Sequence, residues 1–180
     1  MDKRLWVEVY VQDNYYESSP NKAVENDDKD VRICTEIWEK WFYQWVDMMQ
    51  SDIPHTSGCE IGLRLTNDSE IQTLNSQFRH QDKPTDVLAF AALEVNSPQV
   101  TEIDTEDEPL YLGDIVVSVD TARAQAIRQG HSLKTELAWL ASHGLLHLIG
   151  WDHPDEESLR RMLEKQVMLL KTLSIDIDLE

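Results

Sequence analysis

Cysteine, positive charge and long apolar runs are all scarce in this chain of 180 residues. Its two cysteines, Cys34 and Cys59, stand 25 positions apart and form no paired metal or redox motif. Such sparing use suits a reducing, cytoplasmic setting, in which both thiols serve as small buried hydrophobes. No uninterrupted apolar stretch approaches the roughly 20 residues a membrane-spanning helix needs. The start, Met1 to Glu8, carries charges within an apolar alternation and reads as a strand, not as a signal peptide. Lys and Arg total 16 against 34 Asp and Glu, giving a formal charge of -18. That balance excludes a broad basic face of the kind that coats polyanions.

What is present is enough for one folded domain. Hydrophobic residues make up 41% and charged residues 28%, which supports a buried core and argues against a disordered or fibrous chain. Charge is distributed unevenly. Residues 1–60 hold 13 acids and 6 bases, and residues 102–108 hold 5 acids and no base. Residues 113–150 hold 3 of each, so that stretch works in a locally neutral setting.

The β-branched and aromatic run Leu5 to Val11 predicts a first strand. The polar, acidic stretch Gln12 to Asp30 is expected to be an exposed insertion, and Asn96 to Pro109 an acidic loop. Between Val31 and Gln50, Ile33, Ile37, Trp41 and Trp45 recur at helical spacing, which predicts an amphipathic helix whose aromatic stripe is core, not a platform for bases. Cys59 to Leu65 alternates with period two and predicts a half-buried strand. Asn67 or Asp68 is placed to cap a helix reaching about Phe78. Thr85 to Leu93 and Tyr111 to Val119 predict two more strands. Asp120 is expected to cap a helix ending at Gly130, and Ser132 one running from Leu133 to Ile149. Gly150 closes that helix in the left-handed conformation glycine favours. A last helix opens after Pro154 with Asp155-Glu156-Glu157 over its positive end. No internal repeat and no second core are evident. The order predicts one α+β domain over residues 1–180, with a small mixed sheet of about four strands packed by helices.

The stretch His143 to His153 carries the chemistry. His143 and His147 lie four apart on one helix face. Gly150 then breaks the helix, so the chain turns back and brings His153 beside them. Three imidazoles gathered this way suit zinc with a vacant fourth position for water. Such a metal lowers the pKa of bound water toward about 7. His55, His80 and His131 have no such partners and read as surface or loop residues. The spacing H-x-x-x-H-x-x-G-x-x-H is that of metzincin peptidases, but those place Glu directly after the first His as general base. Here the position is Gly144, which takes no proton, although Asp152 or another acid remains a substitute. Phosphodiester cleavage depends more on charge stabilisation by metal and cation. A zinc peptidase and an assembly factor with structural zinc are the alternatives.

The run from His143 to His153 resembles the signature HGxLHLxGxDH of the YbeY family, bacterial single-strand-specific endoribonucleases of rRNA maturation. Three further segments are similar in order: Asn75 to Arg79 with Lys83 to Phe90, and Leu112-Gly113-Asp114-Ile115. The similarity runs from about residue 58 to 160. It implies one zinc per chain on His143, His147 and His153, and a catalytic role for Arg64, which matches the family's arginine near the metal cleft. A guanidinium there would grip a phosphate bidentately. Asp86 and Asp114 are expected to do structural work, such as capping or orienting a ligand histidine. Ala89 and Ala91 depart from the family's usual Ser and Pro without touching the metal site. The implied activity is trimming of the 16S rRNA 3′ end and ribosome quality control. The implied partners are single-stranded RNA and the small ribosomal subunit, with no membrane or DNA. An acidic chain would then hold RNA locally in a cleft.

Overall fold

The computed structural model of the protein describes residues 5–17, 32–92 and 109–179. Four strands form one mixed sheet in the order β1-β2-β4-β3. They are β1 (Trp6–Asp13), β2 (Gly58–Thr66), β3 (Val87–Ala91) and β4 (Leu110–Ser118). The first two run parallel, β4 runs parallel to β2, and β3 is an antiparallel edge strand on β4. The helices are the short α1 (Asn14–Glu17), then α2 (Thr35–Met48), α3 (Asp68–Arg79), α4 (Val119–Gln129), α5 (Leu133–Leu148) and α6 (Glu156–Lys171). The α+β expectation is therefore met.

Alternation along the strands gives the sheet two unlike faces. Ile61, Leu63 and Leu65 of β2 and Ile115 and Val117 of β4 enter the main core, where they meet Trp38, Phe42 and Trp45 of α2 and Leu145 of α5. The aromatic stripe of α2 is thus core, and Trp45 adds a hydrogen bond from its indole N–H to the Leu169 carbonyl of α6 at 3.0 Å. From the other face, Leu88 of β3 and Val116 of β4 meet Ile71 of α3 in a small second cluster. The sequence showed no sign of this cluster, because each strand contributes to it one apolar residue at a time.

Several local expectations hold and several change. Asn67 caps α3, Ser132 caps α5, and Asp155 forms a reciprocal capping box with Ser158. Helix α4 starts earlier than expected: Ser118 caps it, and Asp120 instead accepts a hydrogen bond from the Asp68 backbone N–H at 3.1 Å, binding the start of α3. Gln12 and Asp13 belong to β1 and residues 14–17 to α1, so the expected insertion is not exposed coil at its beginning. The rest of it lies outside the described residues, as does all but the last residue of the expected acidic loop. Cys59 is buried, and burial pushes its thiol up to about 11. Cys34 is exposed at the start of α2, where its side chain reaches no core.

Helix α5 approaches β4 very closely at Gly144. A Cβ there would stand 2.7 Å from Cγ2 of the buried Ile115, whose β-branched side chain has little freedom to yield. Helix propensity alone predicts that Gly144→Ala gains about 1 kcal/mol. The packing reverses the sign: Gly144→Ala is expected to lower stability in denaturant unfolding, whereas a gain would mean that α5 lifts from β4 at no cost.

Candidate metal centre

Helix α5 presents His143 and His147 one turn apart. Its end is closed by the Trp151 backbone N–H donating to the Leu146 carbonyl at 2.9 Å, with Gly150 at φ 100°. That left-handed residue turns the chain back, as the sequence predicts, and delivers His153 to the same point. One ring nitrogen from each of the three lies within 4.8 Å of the other two. The Nε2 atoms of His143 and His147 face each other at 3.1 Å. Tetrahedral zinc with ordinary Zn–N bonds would set such a pair about 3.3 Å apart. The donor set therefore fits a metal ion, and among the described residues no fourth ligating side chain joins these three.

The imidazoles border a recess of about 230 Å³ between α5 and the edge strand β3. Val87 and Ala89 form its far wall, and Arg79 and Asp86 complete it. Asp86 is held by the Val87 backbone N–H at 2.7 Å and by the Gln125 side-chain amide at 3.1 Å. The work of orienting a ligand histidine falls to Gln166 of α6, which is wholly buried. Its amide N–H donates to the Trp139 carbonyl at 3.2 Å, which leaves its oxygen to accept from Nδ1–H of His143 at 3.0 Å. That bond fixes the tautomer in which Nε2 of His143 carries the free lone pair.

Burial favours the neutral form of the two helix histidines. It lowers His147 from 6.5 to about 4, assisted by repulsion from His143 and His153. It lowers His143 as well, against the opposing bond to Gln166. Neutral imidazole is the form that ligates a metal.

The structure does not bring Arg64 to the histidines. Leu63 and Leu65 take the core face of β2, so Arg64 between them points to the opposite face. It lines a groove of about 420 Å³ there, with its guanidinium bonded to Gln12 and Glu70 at 3.1 Å each. Asp114 is exposed in the same groove. Asp152 accepts from the His153 backbone N–H at 2.8 Å and does not border the recess. His55 is exposed, and His80 is the left-handed residue ending α3. His131 is not partnerless: its ring pairs with the buried Glu136 across the turn into α5. Arg79 and Gln166 were missed in the sequence. The spacing of Asn75 and Arg79, four apart on one helix, was the available signal for the first, and nothing local announces the second.

Two outcomes are expected. Gln166→Leu frees the His143 ring and should weaken zinc affinity about 10- to 100-fold without changing ligand number; unchanged affinity by competition with a chelator would refute that role. In the unfolded chain these histidines titrate near 6.5, so below that value the unfolded state binds more protons. The metal-free protein should therefore lose thermal stability as pH falls from about 6.5 toward 4, and His147→Ala should flatten part of that decline.

Residues 23–174 match the family described as Endoribonuclease YbeY. The chain is 56% identical to the Endoribonuclease YbeY of a Nostoc species over 96% of its own length and 92% of that protein's. It is also 56% identical to that of Trichormus variabilis, over 96% and 97%, and 49% identical to that of Trichodesmium erythraeum, over 94% of each. The solution structure of TM1509 from Thermotoga maritima matches with a TM-score of 0.52 at 20% identity, covering 93% of this chain and 91% of that one. At that identity the likeness concerns the fold alone. Relatives this similar along nearly their whole length, with a family match spanning the histidine turn, make the chain a member of the Endoribonuclease YbeY family.

Proposed function

We propose that this protein is a zinc-dependent endoribonuclease of single-stranded RNA, with one zinc held by His143, His147 and His153. The observation that carries the reading is the meeting of three imidazoles at one point, with no fourth ligating side chain among the described residues. Bound there, zinc supplies a Lewis acid for a phosphoryl oxygen and lowers the pKa of water. The chain's own residues do the rest. Gln166 holds His143 in the ligating tautomer, and Asp86 adds negative charge beside the ligands while its oxygens stay engaged by Val87 and Gln125. The recess of about 230 Å³ beside the edge strand is the space in which a backbone phosphate would meet the metal.

The finer assignments rest on the family and on the motif resemblance: an rRNA substrate, the 16S 3′ end, ribosome quality control, the small ribosomal subunit as partner and a cytoplasmic setting. No helix among the described residues is long and apolar enough to cross a membrane. The peptidase alternative is disfavoured at Gly144, where Ile115 of β4 occupies the space a Glu side chain would enter. Structural zinc is disfavoured by the absence of a fourth ligand among the described residues.

Purified protein is expected to cleave single-stranded RNA and to spare duplex, with His147→Ala reduced to background. Equal cleavage by the two proteins would assign the activity to a contaminant and defeat the proposal. The products identify the nucleophile: a 2′,3′-cyclic phosphate marks attack by the RNA 2′-OH, and a free 2′-OH beside the new end marks water.

A further inference from the structure

Arg64 turns away from the histidines into a groove on the other face of the sheet, and that groove is shaped for a planar ligand. The strand registers set its floor. Tyr10 of β1, Gly62 of β2, Asp114 of β4 and Phe90 of β3 stand in one row across the sheet. Arg64 lies two residues along β2 from Gly62 and so takes the same face. Gly62 is the low point of the row. A Cβ there would collide with the Asp114 carboxylate, so the missing side chain lets that carboxylate lie over β2. Tyr10 on one side, and Phe78 with Phe90 on the other, wall a space of about 420 Å³.

The walls are aromatic and open, and the polar groups between them are of opposite kinds. Tyr10 is 53% and Phe78 61% exposed, and Phe78 is held edge-to-face against Phe90 with centroids 5.2 Å apart. Asp114 offers acceptors, and the Tyr111 hydroxyl donates to its carboxylate and steadies it. Arg64 offers donors. Two of its five N–H groups are engaged by Gln12 and Glu70, which leaves the others for a ligand. A flat molecule with adjacent donors on one edge and acceptors on another satisfies both residues at once. Among the RNA bases that is guanine: its N1–H and N2 amine match a carboxylate, and its O6 and N7 match a guanidinium. Adenine and cytosine set a ring acceptor beside their amine, and uracil flanks its one donor with carbonyls, so each turns a lone pair toward Asp114. Glu8 and Glu60, paired in the next outward-facing row, repel a phosphate and favour the base end of a nucleotide.

We propose that this groove is a subsite for a guanine base of the RNA strand whose backbone lies at the histidine recess. Groove and recess share β3, which is an edge strand among the described residues: Phe90 lines the one and Ala89 the other. An RNA strand that rounds this edge places a phosphate in the recess and a nearby base between Tyr10 and Phe78. The rings supply stacking, which any base accepts, and Asp114 with Arg64 supplies the choice among bases. The subsite takes no part in bond cleavage. It decides where along the strand the cut falls, by holding a guanine at a fixed distance from the metal. The proposal rests on the reading of the protein as an RNA-cleaving enzyme.

The test uses zinc-loaded, full-length protein and short single-stranded 2′-O-methyl phosphorothioate oligonucleotides, which resist cleavage. They carry one guanine, inosine or adenine in an otherwise identical sequence, and binding is read by fluorescence anisotropy. Wild type is expected to bind the guanine form about tenfold more tightly than the inosine form, which lacks only the N2 amine. The adenine form should bind more weakly still. Asp114→Asn and Arg64→Ala should each remove most of this preference, whereas Phe78→Ala should weaken all three forms alike, by about tenfold. Melting temperatures show that the variants are folded. On unmodified RNA, cuts by wild type should fall at one spacing from guanines, and Asp114→Asn should scatter them. Equal affinity of wild type for the guanine and adenine forms, or an unchanged preference in Asp114→Asn, would overturn the proposal. A tri-arginine peptide that binds wild type and not Asp114→Asn, with no base preference in either, would overturn it in favour of a protein partner. Absence of cleavage by wild type would instead count against the RNA-cleaving reading, while the binding series still decides the groove.

Discussion

Three imidazole nitrogens pointed at one another form an arrangement that water-filled space does not reward. The Nε2 atoms of His143 and His147 stand 3.1 Å apart, and burial lowers the proton affinity of both rings. A cation at the centre resolves both difficulties at once, since it takes all three lone pairs and needs them unprotonated. Much of the fold serves to keep this cluster in place. Helix α5 is pressed against β4 through Gly144, so His143 and His147 face the edge strand. Gly150 reverses the chain for His153, and α6 returns across α5 to deliver Gln166. Trp45 ties α6 in turn to α2, so the main core and the histidine cluster share one scaffold.

The acidity of the chain takes on a different meaning at the site. With a formal charge of -18, the surface as a whole repels a polyanion. The recess, however, is bordered by one acid, one arginine and three histidines, and the acid is engaged by its own neighbours. A divalent ion there would make the local field positive within an otherwise negative molecule. Affinity for RNA would then come from a short stretch of backbone at the recess, a design that favours a strand already presented over one that must be captured from solution.

How much of this was legible in the sequence follows from how far each contact reaches along the chain. The histidine trio was legible because its geometry is local: a four-residue helical step, then a glycine that permits the return. The four strands and the core helices were legible for the same reason, since period and caps are properties of short segments. The side of the sheet that Arg64 takes was not legible, because which face of a sheet a residue takes depends on which helices cover that sheet. Leu63 and Leu65 reveal the core side only once α2 and α5 are in place. Gln166 lies 23 positions beyond His143 and is brought to it by helix packing alone. Ser118 and Asp120 are both good caps by type, and what separated them was the competing attraction of the α3 start for a carboxylate.

The most direct test of the metal centre is elemental analysis of the purified full-length protein beside His147→Ala, both prepared without chelator. The account predicts close to one zinc per chain in the wild type and little in the variant. Equal metal in the two proteins, or none in either after exposure to zinc, would contradict it.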